Sequence, residues 1–538
     1  MRENPPVATG ETESVSAVRN QVTMLTDTAQ TAALRVLLSL ASPVGTGEKG
    51  HRDARARVRA GGVRLGRPDD HPGRRPADLL APGQATPGAL SYHYDIPRVS
   101  YQPQLRLLLL ALAAAATCLW AAGHGDFVAA HRAYLALLPL WVPTFAMSAA
   151  PLFLAWADRP YRVTARQSRQ LDELRVVVAV PVYNEDPGLL DRCLWSLANS
   201  SHPPDAIHVV EDGPSVDYSV LEEHWTAQHA AIRWTALPHN VGKKRAQSVV
   251  FTSHPEADIF ITVDSDTTLE HRAIEEGLKP FADPGVASVA GIEEIYNKRV
   301  NWLTMAAAAR NTYSQLVSWA TQSVFGDVLI NRGTFALYRA EVIREIVPAY
   351  VNETFLGRPI RLGDDSMLTL FSRDRGRTVQ QVTAFSLPMY PETLSHHLRQ
   401  WTRWSRGGSI RNYWRTKYLP LTSWGWWWTV LSLYYTIASL AVPALLAATW
   451  PQSRQVLGDL GLSVILWAYS VSPHVLRIRR ENESSWQRVT TMLIYPAGLL
   501  WSTYCLRPVR FYGIATCLRQ GWVTRQQGVE ITGNGVRR

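Results

Sequence analysis

The sequence predicts an α/β domain with a parallel-rich sheet, held between membrane segments. Three observations carry this. Short β-branched runs alternate with helical stretches through the middle of the chain, uncharged apolar stretches lie on both sides of it, and acidic residues gather where the β-branched runs end.

The runs "VVVAV" (176–180), "AIHVV" (206–210), "IRWTAL" (232–237) and "DIFITV" (258–263) read as buried strands. Segments such as "PGLLDRCLWSLANS" between them space their apolar residues as helices do. That alternation places helices on both faces of the sheet. In open α/β sheets ligands bind beyond the carboxyl ends of the strands.

Leu107–Gly123 and Tyr134–Trp156 carry no charge, and each approaches the roughly 20 apolar residues that cross a bilayer. Trp426–Thr449 and Leu457–Val475 read as further spans, and Thr490–Leu506 as a shorter one interrupted by Pro496. The mean hydropathy of -0.10 conceals this partition. The expected order is therefore a disordered cytoplasmic extension over 1–99, two spans within 100–158, a soluble α/β domain over 170–420, spans within 421–518 and a cytoplasmic tail over 519–538.

The formal charge is +10, but much of it lies beside the spans. Arg159, Arg162, Arg166 and Arg169 follow the second, and Arg477, Arg479 and Arg480 follow the fourth. This positive-inside pattern predicts a multi-pass protein of the plasma membrane with its middle domain in the cytoplasm, and it argues against nucleic acid as a partner. Cys118, Cys193, Cys505 and Cys517 match no zinc or redox spacing and read as packing residues. No cleaved signal peptide is expected.

The strand ends hold the unusual residues. "VVVAV" is followed by Pro181, Tyr183, Asn184, Glu185 and Asp186, "HVV" by Glu211, Asp212 and Gly213, and "FITV" by Asp264 and Asp266. A single such acid often only caps the next helix; three groups converging on one edge favour a site. Asp264-x-Asp266 suits Mg²⁺ or Mn²⁺, which one or two carboxylates hold while water and phosphate oxygens complete the shell. In "HNVGKKRAQS" (239–248), Gly242 allows a tight turn, and Lys243, Lys244 and Arg245 can approach a phosphate or nucleotide.

Two later motifs each have two readings. "RLGDDSMLT" (361–369) either caps a helix with acids or supplies a general base, for which Asp365 is the candidate. In "LRQWTRW" (398–404), Gln400, Arg403 and Trp404 share one helix face. That face either lies on a membrane or offers an Arg to a diphosphate and an indole plane to a sugar.

In this order, "VYNEDP", "EDG", "NVGKKRAQ", "DSDT", "GDD" and "QWTRW", with apolar spans on both sides, the chain resembles processive family 2 glycosyltransferases of the hyaluronan synthase and chitin synthase group over roughly residues 100–530. The resemblance implies a GT-A, Rossmann-like domain. It implies that Tyr183 and Glu185 border the uracil and ribose, that Asp212 joins the nucleotide pocket, and that Lys243, Lys244 and Arg245 contact the nucleotide. Asp264 and Asp266 would hold the metal, Asp264 also facing the substrate. Asp365, with Asp364 beside it, takes the catalytic-base position. Gln400, Arg403 and Trp404 match a QxxRW signature flanking the diphosphate and the acceptor sugar.

"GWVTR" (521–525) is similar to a Trp-Gly-Thr-Arg signature of the same group, with Val523 in place of Gly, and adds Trp522 and Arg525 to the substrate residues. It points away from cellulose synthases. Ser366 after "GDD" and "NRGTFALYR" (331–339) depart from the hyaluronan synthase pattern near the acceptor.

The implied reaction is inverting transfer from UDP-sugars to a growing polysaccharide exported through the lipid bilayer, with hyaluronan from UDP-GlcNAc and UDP-GlcUA as the expected product. A chitin or chitin-oligosaccharide synthase using UDP-GlcNAc alone is the nearest alternative. A lipid-linked sugar transferase would not require QxxRW, and Asp264, Asp266, Asp365 and Arg403 together argue against a non-catalytic scaffold. Three full spans after a cytoplasmic domain would leave "GWVTR" outside the cell. Thr490–Leu506 is therefore expected to be re-entrant, or "RFYGIATCLRQ" (510–520) to return the chain.

Overall fold

A computed structural model describes residues 94–106, 109, 112, 113, 116, 117, 138–448 and 454–520. Most of the expected extension, most of the first predicted span, and Trp522 and Arg525 lie outside the described residues.

After β1 (Val99–Tyr101), the four predicted strands appear as β2 (Val176–Val182), β3 (Ala206–Asp212), β4 (Ile232–Leu237) and β5 (Ile259–Thr262). They pair in the order β4-β3-β2-β5, all parallel. Their residues alternate between faces. Val176, Val178 and Val180 of β2 pack with Leu190 and Leu194, while Val177 and Ala179 pack with Val250, Phe251 and Ile343. Both faces are apolar, so helices cover both.

The sheet continues beyond these four strands. The chain adds β6 (Thr268–Leu269), β7 (Val286–Glu293), β8 (Ala336–Arg339), a small hairpin of β9 (Thr354–Phe355) and β10 (Arg358–Pro359), and β11 (Arg377–Leu387). β8 lies antiparallel between β5 and β7, and β11 joins β7 in parallel with β6 antiparallel at the edge. The eight-stranded sheet is thus mixed. β8 has only four residues, as β5 has, but its "ALYR" lacks the β-branched residues that reveal "IFIT".

The helices, in chain order, are α1 (Leu138–Leu154), α2 (Ala165–Asp172), α3 (Pro187–Ala198), α4 (Ser219–Gln228), α5 (Lys243–Ser253), α6 (Ala273–Leu278), α7 (Trp302–Ser314), α8 (Ala320–Val324), α9 (Ala340–Val351), α10 (Asp364–Arg375) and α11 (Leu394–Tyr418). Then follow α12 (Trp424–Ala448), α13 (Arg454–Val471), β12 (Ile478–Arg480), α14 (Ser485–Trp501) and α15 (Arg507–Ala515).

Among the described residues, two helical runs are long and apolar enough to cross a membrane, Trp424–Leu445 and the continuous Ser485–Ala515. The apolar segments are tied back to the sheet domain at their ends. β1 and β12 form a separate antiparallel pair whose Val99 and Ile478 cluster with Ile292 and Phe385 of the main sheet. Arg106 Nη2 links the flanks of the first apolar stretches by donating to the carbonyl of Ala155 at 2.8 Å. Ser423 Oγ and the N–H of Gly425 both donate to Asp327 Oδ2, at 2.8 and 3.0 Å, where α12 starts. Glu483, just before α14, pairs with Lys298 at 2.8 Å and Arg299 at 2.7 Å. Beyond α15, Gln520 Oε1 accepts from the N–H groups of Arg361 and Leu362 at 3.1 and 3.2 Å. The run containing Thr490–Leu506 therefore begins and ends on the same domain.

Candidate active site

The strand-end turns brace one another. After β2 the chain turns at Asn184, whose φ of 47° is one that Asn tolerates better than most residues. Its Oδ1 accepts from the N–H of Ser215 at 2.8 Å, joining the turns after β2 and β3. Glu185 is buried, and its Oε2 accepts from Ser265 Oγ at 3.1 Å. It supports the "DSDT" turn from behind. Tyr183 beside it is half-buried. Asp186 is a helix cap, accepting from the N–H groups of Gly188 and Leu189 at 2.9 and 3.2 Å.

Asp212 receives the N–H groups of Val241 and Gly242 at 2.6 and 2.9 Å. Burial raises its pKa, and these two donors oppose the rise. The pair fixes the start of α5, where Gly242 has a φ of 93° open to glycine but strained for other residues. Gly213 is needed for a different reason, because a Cβ there would lie 2.3 Å from the carbonyl carbon of His239.

α5 opens with Lys243. Its Nζ lies 2.6 Å from Asp264 Oδ1 and 2.9 Å from Asp364 Oδ2. One ammonium thus joins the "DSDT" motif to the "GDD" motif. Burial works against the charge, but the two carboxylates raise the Lys243 pKa above the ordinary lysine value. Gly333 leaves room for this contact: a Cβ there would meet Lys243 Nζ at 2.9 Å and the Asp264 oxygens at 3.3 and 3.4 Å.

Asp364 and Asp365 are the first residues of α10, after Gly363 at a φ of 75°. Their environments push them apart. Burial opposes ionisation of Asp364, but Lys243 holds its carboxyl below the usual carboxylate range. Burial and the neighbouring Asp364 push Asp365 up to about 6. Asp365 Oδ1 accepts from the N–H of Ser366 at 2.6 Å. A pair so separated supplies one fixed anion and one group able to take a proton.

The QxxRW residues lie on α11 as their spacing predicts. Trp404 is 41% exposed, with its ring 6.4 Å from Tyr390 and 5.5 Å from Trp401. Gln400 and Arg403 are half-buried on the same turns. One turn on, α11 touches the base turn, since a Cβ on Gly407 would lie 3.3 Å from Gly363 N.

The profile of the glycosyl transferase family group 2 matches residues 259–516. A hyaluronan synthase of Streptococcus pyogenes is 30% identical over 364 residues, covering 66% of this chain and 84% of that protein. The chain belongs to the family 2 glycosyltransferases. An N-acetylglucosaminyltransferase of Rhizobium leguminosarum bv. viciae is 27% identical over 355 residues, covering 65% of this chain and 81% of that protein. A structure of a mannosyltransferase from Pyrobaculum calidifontis, in complex with GDP-Man and Mn²⁺, aligns loosely at a TM-score of 0.43 and 19% identity, over 68% of this chain and 99% of that one.

In this glycosyltransferase not every predicted residue joins the cluster. Lys244 turns into the interior and pairs with Glu353, while Arg245 is exposed on the first turn of α5. A basic run on a helix points its side chains about 100° apart, so three adjacent cations cannot share one target. Asp266 is half-buried, its Oδ1 accepting from Thr267 Oγ1 at 3.3 Å.

Three residues of the enzyme escaped the sequence reading. Gly333 and Glu353 carried no signal in the sequence. Arg411 had one: it extends the helical spacing of Arg403 and Gly407. "NRGTF", read only as a departure, places Arg332 against Glu293 and over the Trp319 ring at 3.8 Å.

Proposed function

We propose that this glycosyltransferase is a processive, inverting enzyme that polymerises UDP-GlcNAc and UDP-GlcUA into hyaluronan and exports the chain across the plasma membrane. The observation that carries the reaction is the Lys243 bridge, which joins the donor motif and the base motif. Tyr183 and Asp212 would line the nucleotide, and Arg245 would reach it from the exposed side of α5. Asp365 takes the proton of the acceptor hydroxyl, whose oxygen attacks the anomeric carbon. The bond to UDP breaks with its electron pair leaving on the diphosphate, and single displacement inverts the centre to give a β-linkage. Lys243 and Arg403 would face the charge growing on the leaving group, and Trp404 offers the acceptor sugar an aromatic plane.

Asp264 and Asp266 fit a divalent cation. They are hard oxygen donors one residue apart, and Lys243 engages only Oδ1 of Asp264. Two carboxylates would leave the rest of the shell to phosphate and water, as Mg²⁺ or Mn²⁺ commonly takes. Bound there, the cation would neutralise diphosphate charge during departure.

The arginines beside the apolar segments support a cytoplasmic domain, and the two helical runs long and apolar enough to cross a membrane support a multi-pass arrangement. Trp522 and Arg525 would join the substrate residues, as the similarity of "GWVTR" to the Trp-Gly-Thr-Arg signature implies.

The hyaluronan synthase relative favours the two-donor product. The N-acetylglucosaminyltransferase relative favours the second reading, a GlcNAc polymer or oligomer. Radiolabelled synthesis by purified protein separates them. Polymer that needs both donors and is degraded by hyaluronidase supports hyaluronan; polymer from UDP-GlcNAc alone that chitinase degrades moves the enzyme to the second class.

A further inference from the structure

Lys243 and Lys244 are neighbours with opposite destinations. Lys243 reaches Asp264 and Asp364, whereas Lys244 ends on Glu353. Glu353 precedes β9, with its side chain 3% exposed, and both its oxygens are saturated. Oε1 accepts from Arg411 Nη1 and from Trp414 Nε1, each at 2.9 Å. Oε2 accepts from Arg411 Nη2 at 3.1 Å and from Lys244 Nζ. Lys244 also donates to the carbonyl of Ile360 at 3.2 Å.

Arg411 is fully buried, and its Nη2 also donates to the carbonyl of Gly363 at 3.4 Å. Gly363 is the residue before Asp364 and Asp365. The same turn is gripped from two further sides, by Gly407 packed against Gly363 and by Gln520 on the N–H groups of Arg361 and Leu362.

A guanidinium can fork across a carboxylate and still present N–H to a carbonyl, which an ammonium cannot do in the same geometry. The cluster holds two buried cations on one carboxylate, so neither cation is well held without Glu353. We propose that Glu353 and Arg411 are positioning residues for glycosyl transfer: by joining Lys244 to the carbonyl of Gly363, they lock the donor-facing end of α5 to the turn that carries Asp364 and Asp365. The proposal rests on the reading of Asp365 as the base.

The test is UDP release with whichever donors support turnover, alongside UDP affinity. Arg411→Lys keeps the charge and loses the fork. Its kcat should fall about 10- to 100-fold, as small misplacements of a catalytic group do, with UDP affinity and donor KM within about threefold. The loss should vanish in an Asp365→Asn background, because a residue acting through Asp365 has nothing left to position. An unchanged kcat, or the same loss in both backgrounds, overturns the proposal. If Arg411→Lys no longer binds UDP and so fails to fold, Trp414→Phe removes one bond to Glu353 and leaves the ion pairs. A several-fold lower kcat at unchanged UDP affinity supports the proposal, and an unchanged kcat overturns it. Full turnover in Asp365→Asn alone would instead remove the base reading.

Discussion

Lys243 Nζ lies 2.9 Å from Asp364 Oδ2 across the meeting point of α5 and α10. Its other contact, to Asp264, makes it the cation that lets these carboxylates stand together. Lys243→Met should weaken UDP binding by about tenfold or more, equivalent to about 1.4 kcal/mol, and should nearly abolish turnover. Calorimetric titration with UDP checks this; unchanged affinity would confine Lys243 to an internal role.

Gly333 offers a gentler probe of the same contact. Gly333→Ala would bring a methyl to 2.9 Å from Lys243 Nζ, too close for the ammonium to keep its place. We expect donor KM to rise several-fold while the melting temperature stays within a few degrees. An unaltered KM would mean that the lysine has room to shift without cost.

The pH profile follows from Asp365, which burial and Asp364 push up to about 6. A base must be ionised to accept a proton, so kcat should be flat above that value and fall as pH drops through it, approaching tenfold per unit. Asp365→Asn should remove about 10² to 10⁴ of the rate and abolish this acid limb, with UDP affinity within a few-fold. If UDP binding disappears as well, Asp365 belongs to the nucleotide or metal site.

Asp264→Asn or Asp266→Asn should eliminate polymer formation, and EDTA should do the same to the unaltered enzyme. UDP affinity should also rise on addition of Mn²⁺, and each substitution should remove that response. Full activity in chelator would discard the metal assignment.

The docking of Gln520 beside Arg361 bears on topology. A cysteine introduced at Gln527 should resist a membrane-impermeant thiol reagent applied to intact cells and react after permeabilisation. Labelling from outside would place the tail on the far face.

Much of the sheet could be read because local physics specified it. β2, β3 and β5 are runs rich in β-branched residues and buried on both faces, and acids stand at or just beyond their carboxyl ends, where a buried strand seldom carries charge. The QxxRW helix was legible for the same reason: Gln400, Arg403 and Trp404 share a face through helical geometry alone. β8 was not legible: it is as short as β5, but its "ALYR" holds no β-branched residue where β5 has "IFIT".

The sequence by itself determined which motifs exist and which elements carry them. Only the tertiary structure decided what each side chain meets. Lys243 and Lys244 are chemically alike and adjacent, yet the turn of the helix sends one to Asp264 and Asp364 and the other to Glu353. Glu353 and Arg411 lie 58 positions apart, and nothing in either segment announces a pairing that arises when α11 packs onto the base turn. Contacts between distant segments depend on how whole elements pack, and residue periodicity reports only the local backbone and the face it buries.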